Sequence, residues 1–215
     1  MMIDIAVVDY GMGNLRSVSK ALEHVAPNKN VAVTSSAKEI LDAERVVFPG
    51  QGAMPDCMRE LESRGLRDAI VQSAASKPFL GICIGLQLLF QHSEEGDANG
   101  LGILAGKVKR FASDAMYDAE GSKLKVPHMG WNQVYQKQDH PMWKDIPDGE
   151  RFYYVHSYYV QPDDESLVAG VTEYPKAFTG AIAHNNIFAV QFHPEKSQHA
   201  GLQLLSNFVQ WNGKS

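Results

Sequence analysis

The chain has 215 residues, 44% of them hydrophobic, and 20 Lys and Arg against 25 Asp and Glu leave a net charge of -5. That is enough apolar material for one α/β domain to bury a core unaided, and no basic run offers a nucleic-acid surface. Two cysteines, Cys57 and Cys83, and an N-terminus without a positively charged apolar leader imply a soluble protein of a reducing, cytoplasmic compartment, with no disulfide framework.

Residues 3–8 are a short apolar run, read as a buried strand that feeds the glycine loop Asp9-Tyr10-Gly11-Met12-Gly13. Leu15, Val18, Leu22 and Val25 then recur at helical spacing and complete a first βα unit. Strands are expected at 31–34 and 45–48, the second closed by Pro49-Gly50-Gln51-Gly52, and helices at 54–64 and 66–76, divided at Gly65. A strand at 79–82 and a helix at 84–92 follow; the apolar stretch 79–90 is too short and too interrupted to cross a bilayer. Strands alternating with helices imply a parallel sheet covered on both faces. Ligands of such sheets bind at the carboxyl ends of the strands.

Beyond the polar loop 93–100 the pattern changes. Segments 106–111, 131–135, 152–160, 166–172, 181–184 and 187–191 are strand-like with few helical stretches between them, so this half is expected to be more antiparallel. The polar segment 113–123 is assigned no element. A closing helix is expected at 201–211 with Leu202, Leu205 and Phe208 on one face. With no repeat, low-complexity tract or linker, residues 1–215 read as a single domain.

Gly81-Ile82-Cys83-Ile84-Gly85 places a cysteine between two glycines, after an apolar run and before a helical pattern. This is the sequence of a nucleophile elbow, a strand-to-helix turn so tight that only tiny neighbours fit two residues to either side. The turn sets the next backbone N–H, that of Ile84, at a helix start, where it favours a thiolate and receives an oxyanion. Most free cysteines are only small buried hydrophobes, so further residues must support this reading. A nucleophilic cysteine needs a base, and the base needs an orienting group. His193-Pro194-Glu195, just after the apolar strand, provides both: the proline stiffens the turn and Glu195 reaches the far ring nitrogen. His184 competes as a base, but Asn185-Asn186 beside it reads as a hairpin turn and hence a solvated tip. The glycines around Gln51 let the backbone turn an N–H near Gly52 toward developing charge, as a second oxyanion donor. Neither a C-x-x-C pair nor an H-x-x-x-H pair is present, so no metal or other cofactor is expected.

Taken together, Gly81 to Gln87 as G-x-C-x-G-x-Q, His193-Pro194-Glu195 downstream and Pro49-Gly50-Gln51-Gly52 upstream resemble the class I (triad) glutamine amidotransferases. That family has a flavodoxin-like three-layer α/β fold, here with a central, mostly parallel sheet and extra antiparallel strands in the C-terminal half. The resemblance implies a Cys83-His193-Glu195 triad, oxyanion donors at Gly52 and Ile84, and L-glutamine held by Gly50, Gln87, Ser157 and Tyr158. Position 51, often valine in the family, is glutamine here. Asp9 to Asn14, Pro127 to Asn132 and Tyr153 to Tyr158 narrow the resemblance to the branch that serves imidazole glycerol phosphate synthesis in histidine biosynthesis. The implied partner is a cyclase subunit with a (β/α)8 barrel, in a heterodimer that passes ammonia between subunits. Asn14, Trp131, Tyr153 and Lys196 are the candidate residues facing it; no nucleic acid or membrane is implied. Three rival readings are an amidotransferase for purine, pyridoxal phosphate or anthranilate synthesis, a stand-alone cysteine hydrolase, and a non-catalytic subunit that kept the fold.

Overall fold

The computed structural model describes residues 2–112, 117, 121 and 124–214, so most of the unassigned segment 113–123 lies outside the described residues. The first half alternates as its apolar periodicity dictates: β1 (Ile5–Val8), α1 (Leu15–Val25), β2 (Val31–Thr34), α2 (Ala37–Asp42), β3 (Arg45–Phe48), α3 (Met54–Ser63), α4 (Arg67–Ser76) and β4 (Phe79–Ile82). Helix α2 was not expected; its Ser36 cap accepts the Glu39 N–H at 3.3 Å. The elbow leads into a four-residue helix, α5 (Ile84–Gln87), and then into strands β5 (Phe90–Ser93), β6 (Ala98–Asn99) and β7 (Leu104–Arg110). The second half comprises β8 (His128–Gln136), β9 (Glu150–His156), β10 (Tyr158–Pro162), β11 (Val168–Glu173), β12 (Ala177–His184), β13 (Ile187–Val190) and α6 (Gln198–Gln210).

The strands form one sheet of order β2-β1-β3-β4-β13-β12-β10-β7-β5-β6, with β11, β8 and β9 branching from β12. Its first five strands are parallel and carry the flavodoxin-like order 2-1-3-4-5, β13 taking the fifth place. All four residues of β1, β4 and β13 are buried, as strands covered on both faces require. Helices flank the sheet, α1 packing with α6 and α2 with α4. From β13 onward the pairing to β12, β10 and β7 is antiparallel. Among the described residues no helix is long and apolar enough to cross a membrane.

Three expectations are corrected. The helix expected at 84–92 stops at Gln87, because Leu88, Leu89 and Phe90 are fully buried and Phe90 pairs with Leu104 of β7. An apolar run with no polar face satisfies either period, and the neighbouring strand decided. The single strand expected at 152–160 is two, broken at Ser157, where β9 pairs with β8 and β10 with β7. On the closing helix the buried face is Gly201, Leu204, Leu205 and Phe208, and Leu202 is only partly covered.

The register places the site. Val190 lies opposite Ile82 and Phe48 opposite Gly81, so β3, β4 and β13 end side by side. The 49–52 loop, Cys83 and the 191–195 segment therefore leave adjacent central strands at their carboxyl ends.

Candidate active site

Cys83 adopts φ 55°, ψ -108°, a left-handed conformation that side chains other than glycine avoid. Its N–H donates to the Val190 carbonyl at 2.8 Å, and its carbonyl accepts the Leu86 N–H at 3.1 Å, so strand and helix clamp the turn from both sides. The flanking glycines are required by close approach. A Cβ on Gly85 would run into the Phe48 carbonyl, and one on Gly81 would meet the Ala189 Cβ at 2.9 Å.

His193 follows β13 on a one-turn 3-10 helix that begins with Pro194. Its N–H donates to the Tyr153 carbonyl at 2.9 Å, and the Ser197 hydroxyl donates to the His193 carbonyl at 2.6 Å while accepting the Tyr153 N–H at 2.9 Å. Strand β9 thus locks the turn that carries the imidazole. Nδ1 lies 2.9 Å from Glu195 Oε1, and the two side chains are only 3% and 1% exposed. Nε2 has no hydrogen-bond partner among the described residues and shares a cavity wall with Cys83. Burial pushes the His193 pKa down, but the Cys83 sulfur and the Glu195 carboxylate outweigh it and raise it above the ordinary histidine value. The site thus favours the protonated ring, with Nε2 on the cavity side.

The cavity, of about 430 Å³, is walled by Cys83, Ile84, Gly52, Gln87, Ser157, Tyr158 and His193 among others. Gly50 lies just outside it, packed against Ile84 and the Tyr10 hydroxyl. The Gln51 carbonyl faces Cys57 on α3, with the thiol donating to it at 3.4 Å. Because that peptide is trans, the Gly52 N–H points away from α3. Burial raises the Cys57 pKa to about 11, so this second thiol stays protonated.

The four residues expected to face a partner separate. Lys196 lines the cavity, its ammonium 5.9 Å from the Tyr153 ring, and Tyr153 meets the exposed Trp131 edge-on at 6.0 Å. The three run in sequence from the cavity to the exposed side of β8. Asn14 lies apart, beside a crevice bordered by Gly50, His193 and Glu195. His184 is exposed at the β12–β13 hairpin, away from the cavity lining.

Three cavity-side residues were not singled out by the sequence. Glu95 lines the wall while its Oε2 accepts the Met54 N–H at 2.8 Å. Gln191 is fully buried, and its Nε2 reaches Cys83 Sγ at 3.7 Å. His156 Nδ1 donates to the Tyr158 carbonyl at 2.8 Å, and its Nε2 meets His128 Nδ1 at 2.9 Å. Gln191 precedes the His193–Glu195 motif by two residues and His156 falls within the segment Tyr153 to Tyr158, but neither pattern marked the residue itself. Among the described residues no group of three or more His, Cys, Asp or Glu is placed to hold a metal ion.

A strained cysteine, an imidazolium fixed by a carboxylate and a neighbouring glycine loop can together perform acyl transfer through a thioester. The family model for class I glutamine amidotransferases matches residues 6–211. The subunit HisH of imidazole glycerol phosphate synthase from Thiobacillus denitrificans is 68% identical over 99% of this chain and 93% of its own length. The HisH subunit from Aromatoleum aromaticum is 65% identical over 98% of this chain and 99% of its own. A solved glutamine amidotransferase structure superposes with a TM-score of 0.72 at 14% identity, covering 97% of this chain and all of that one, a likeness of fold.

Proposed function

The chain belongs to the class I glutamine amidotransferases, and from that membership we propose that it is the glutaminase subunit of imidazole glycerol phosphate synthase, acting as a single domain in the cytoplasm. It hydrolyses L-glutamine and hands the ammonia to a cyclase subunit. The observation that carries the chemistry is the meeting of Cys83, in its strained elbow, with the buried His193–Glu195 pair at adjacent strand ends.

The Cys83 thiolate attacks the side-chain amide carbon of glutamine, and the carbonyl oxygen becomes an oxyanion received by the N–H groups of Ile84 and Gly52. One such donor contributes about 3 to 4 kcal/mol to the transition state. His193 gives its Nε2 proton to the departing nitrogen, and ammonia leaves a thioester behind. The same nitrogen, now neutral, deprotonates a water that attacks the thioester, releasing glutamate and restoring the thiolate–imidazolium pair. Glu195 keeps the proton of Nδ1 in place throughout. Gln87 engages its amide nitrogen within the protein and leaves Oε1, which is buried without a partner among the described residues, to accept from glutamine. The backbone at Ser157 and Tyr158 lines the same wall.

Free ammonia is protonated in neutral water and lost as a nucleophile, so transfer must be direct. Trp131, Tyr153 and Lys196 form the path of contact between the cavity and the face offered to the cyclase, with Asn14 on its other flank. The test is glutamine hydrolysis with and without the cyclase subunit and its nucleotide substrate. Low activity alone, a large increase in the complex and loss of both in Cys83→Ala are expected. Unchanged hydrolysis in Cys83→Ala would refute the nucleophile, and equal rates with and without the cyclase would refute the coupling.

A further inference from the structure

The Tyr158 carbonyl dictates where the hydrogens lie along a buried path to the reactive sulfur. A backbone carbonyl can only accept, so the Gln87 side-chain atom 3.0 Å from it must be the amide nitrogen, and the His156 nitrogen 2.8 Å from it must carry a proton. The second hydrogen of the Gln87 amide then meets the Gln191 atom 3.1 Å away, which must be Oε1. That leaves the Gln191 nitrogen facing Cys83 Sγ at 3.7 Å. Gln87 is 2% exposed and Gln191 fully buried, so neither amide can exchange these partners for water. On the far side of the carbonyl, His156 Nε2 accepts from His128 Nδ1 at 2.9 Å, and His128 Nε2 accepts from Asn132 Nδ2 at 3.3 Å. With both rings neutral, as their burial favours, the donors from β8 to the elbow run in one direction.

We propose that Gln191 is a catalytic residue that donates its amide N–H to the Cys83 sulfur, favouring the thiolate and aiming it into the cavity, and that Gln87 is the positioning residue that forbids the reverse amide orientation. The inference rests on the reading of Cys83 as nucleophile. A hydrogen bond to an ionised acceptor is roughly twice as strong as one to a neutral acceptor, so this N–H favours the thiolate over the thiol. With the amide reversed, its carbonyl would face the sulfur and favour the protonated thiol instead. The Gln87 amide, held against an atom that can only accept, is what prevents that reversal.

The experiment is alkylation of the full-length protein by iodoacetamide, in which the thiolate displaces iodide from carbon, followed by mass spectrometry of the Cys83 peptide. No glutamine chemistry enters this readout. Gln191→Met, of similar volume but without a donor, is expected to slow alkylation about tenfold near pH 7, with the difference closing near pH 10, where thiols ionise unaided. Gln191→Glu, which sets a carboxylate against the sulfur, should slow it further, and Gln87→Leu should slow it by an intermediate factor. Folding of each variant is checked by its thermal midpoint. Should Gln191→Met not fold, Gln87→Leu alone decides. Alkylation near pH 7 that is indifferent to these changes, or slowed equally at both pH values, overturns the proposal. A Cys83 that iodoacetamide leaves untouched in the parent protein would instead overturn the nucleophile on which it rests.

Discussion

Three buried histidines contribute to how this protein responds to acid. Burial pushes His156 down to about 3 and His128 and His140 down to about 4. For His156 the hydrogen bonds agree: both ring nitrogens are engaged, and a further proton on Nε2 would face the donor of His128. In the unfolded chain each ring takes up a proton near pH 6.5, which the folded state refuses, so stability falls as pH drops from about 6.5 toward 4. His193 acts in the opposite window. Its pKa is raised on folding, so its contribution is fully present below about pH 6.5 and is lost only as pH rises through the folded value. It adds nothing to the acid slope. Urea unfolding at pH 7 and pH 5 should show a loss on the order of 1 to 2 kcal/mol per buried histidine; identical midpoints would show that these rings are not held neutral. At this scale the sequence was legible where chemistry demands a rare residue at a special backbone position, as at Cys83 and His193-Pro194-Glu195. Glu95, His156 and Gln191 were not legible, because their roles depend on atoms contributed by elements distant in sequence.

The elbow shows how an element imposes its own residue requirements. Gly85 faces the carbonyl of Phe48, a backbone atom of the neighbouring strand that has no rotamer to move aside. Gly85→Ala should therefore cost about 3 kcal/mol and lower glutamine hydrolysis by displacing Cys83. Thermal unfolding and activity measured on the same preparation test this, and a variant with native stability would mean that α5 can draw away from β3 without penalty. The strands at 31–34, 45–48 and 79–82 were readable because short β-rich runs end in glycine, proline or polar punctuation. Helix α2 was readable in principle, since Ser36-Ala37-Lys38-Glu39 has the spacing of a capping box, and the Ser36 side chain makes that cap. The 84–92 segment was not, because Leu86, Leu88, Leu89 and Phe90 leave no polar face by which a period could be recognised.

At the scale of the whole molecule, the proposed docking face for the cyclase subunit is the exposed side of β8. Met129 is 62% and Trp131 44% exposed on this strand, and Trp131 leads through Tyr153 to Lys196 at the cavity. Aromatic residues at the centre of an interface carry much of its energy, so Trp131→Ala should weaken association with the cyclase subunit at least about tenfold. Calorimetric titration measures it, and unchanged affinity would place the partner on another face. The sequence by itself determined the alternation of the first half and the family, and it pointed to Cys83, His193 and Glu195, since each rests on residue types at short spacing. Only the tertiary structure decided that β13, from the far end of the chain, pairs beside β4 and brings His193 to Cys83. The elbow cysteine is strained by its own neighbours, but His193 and Gln191 reach it through strand pairing, which no local pattern encodes.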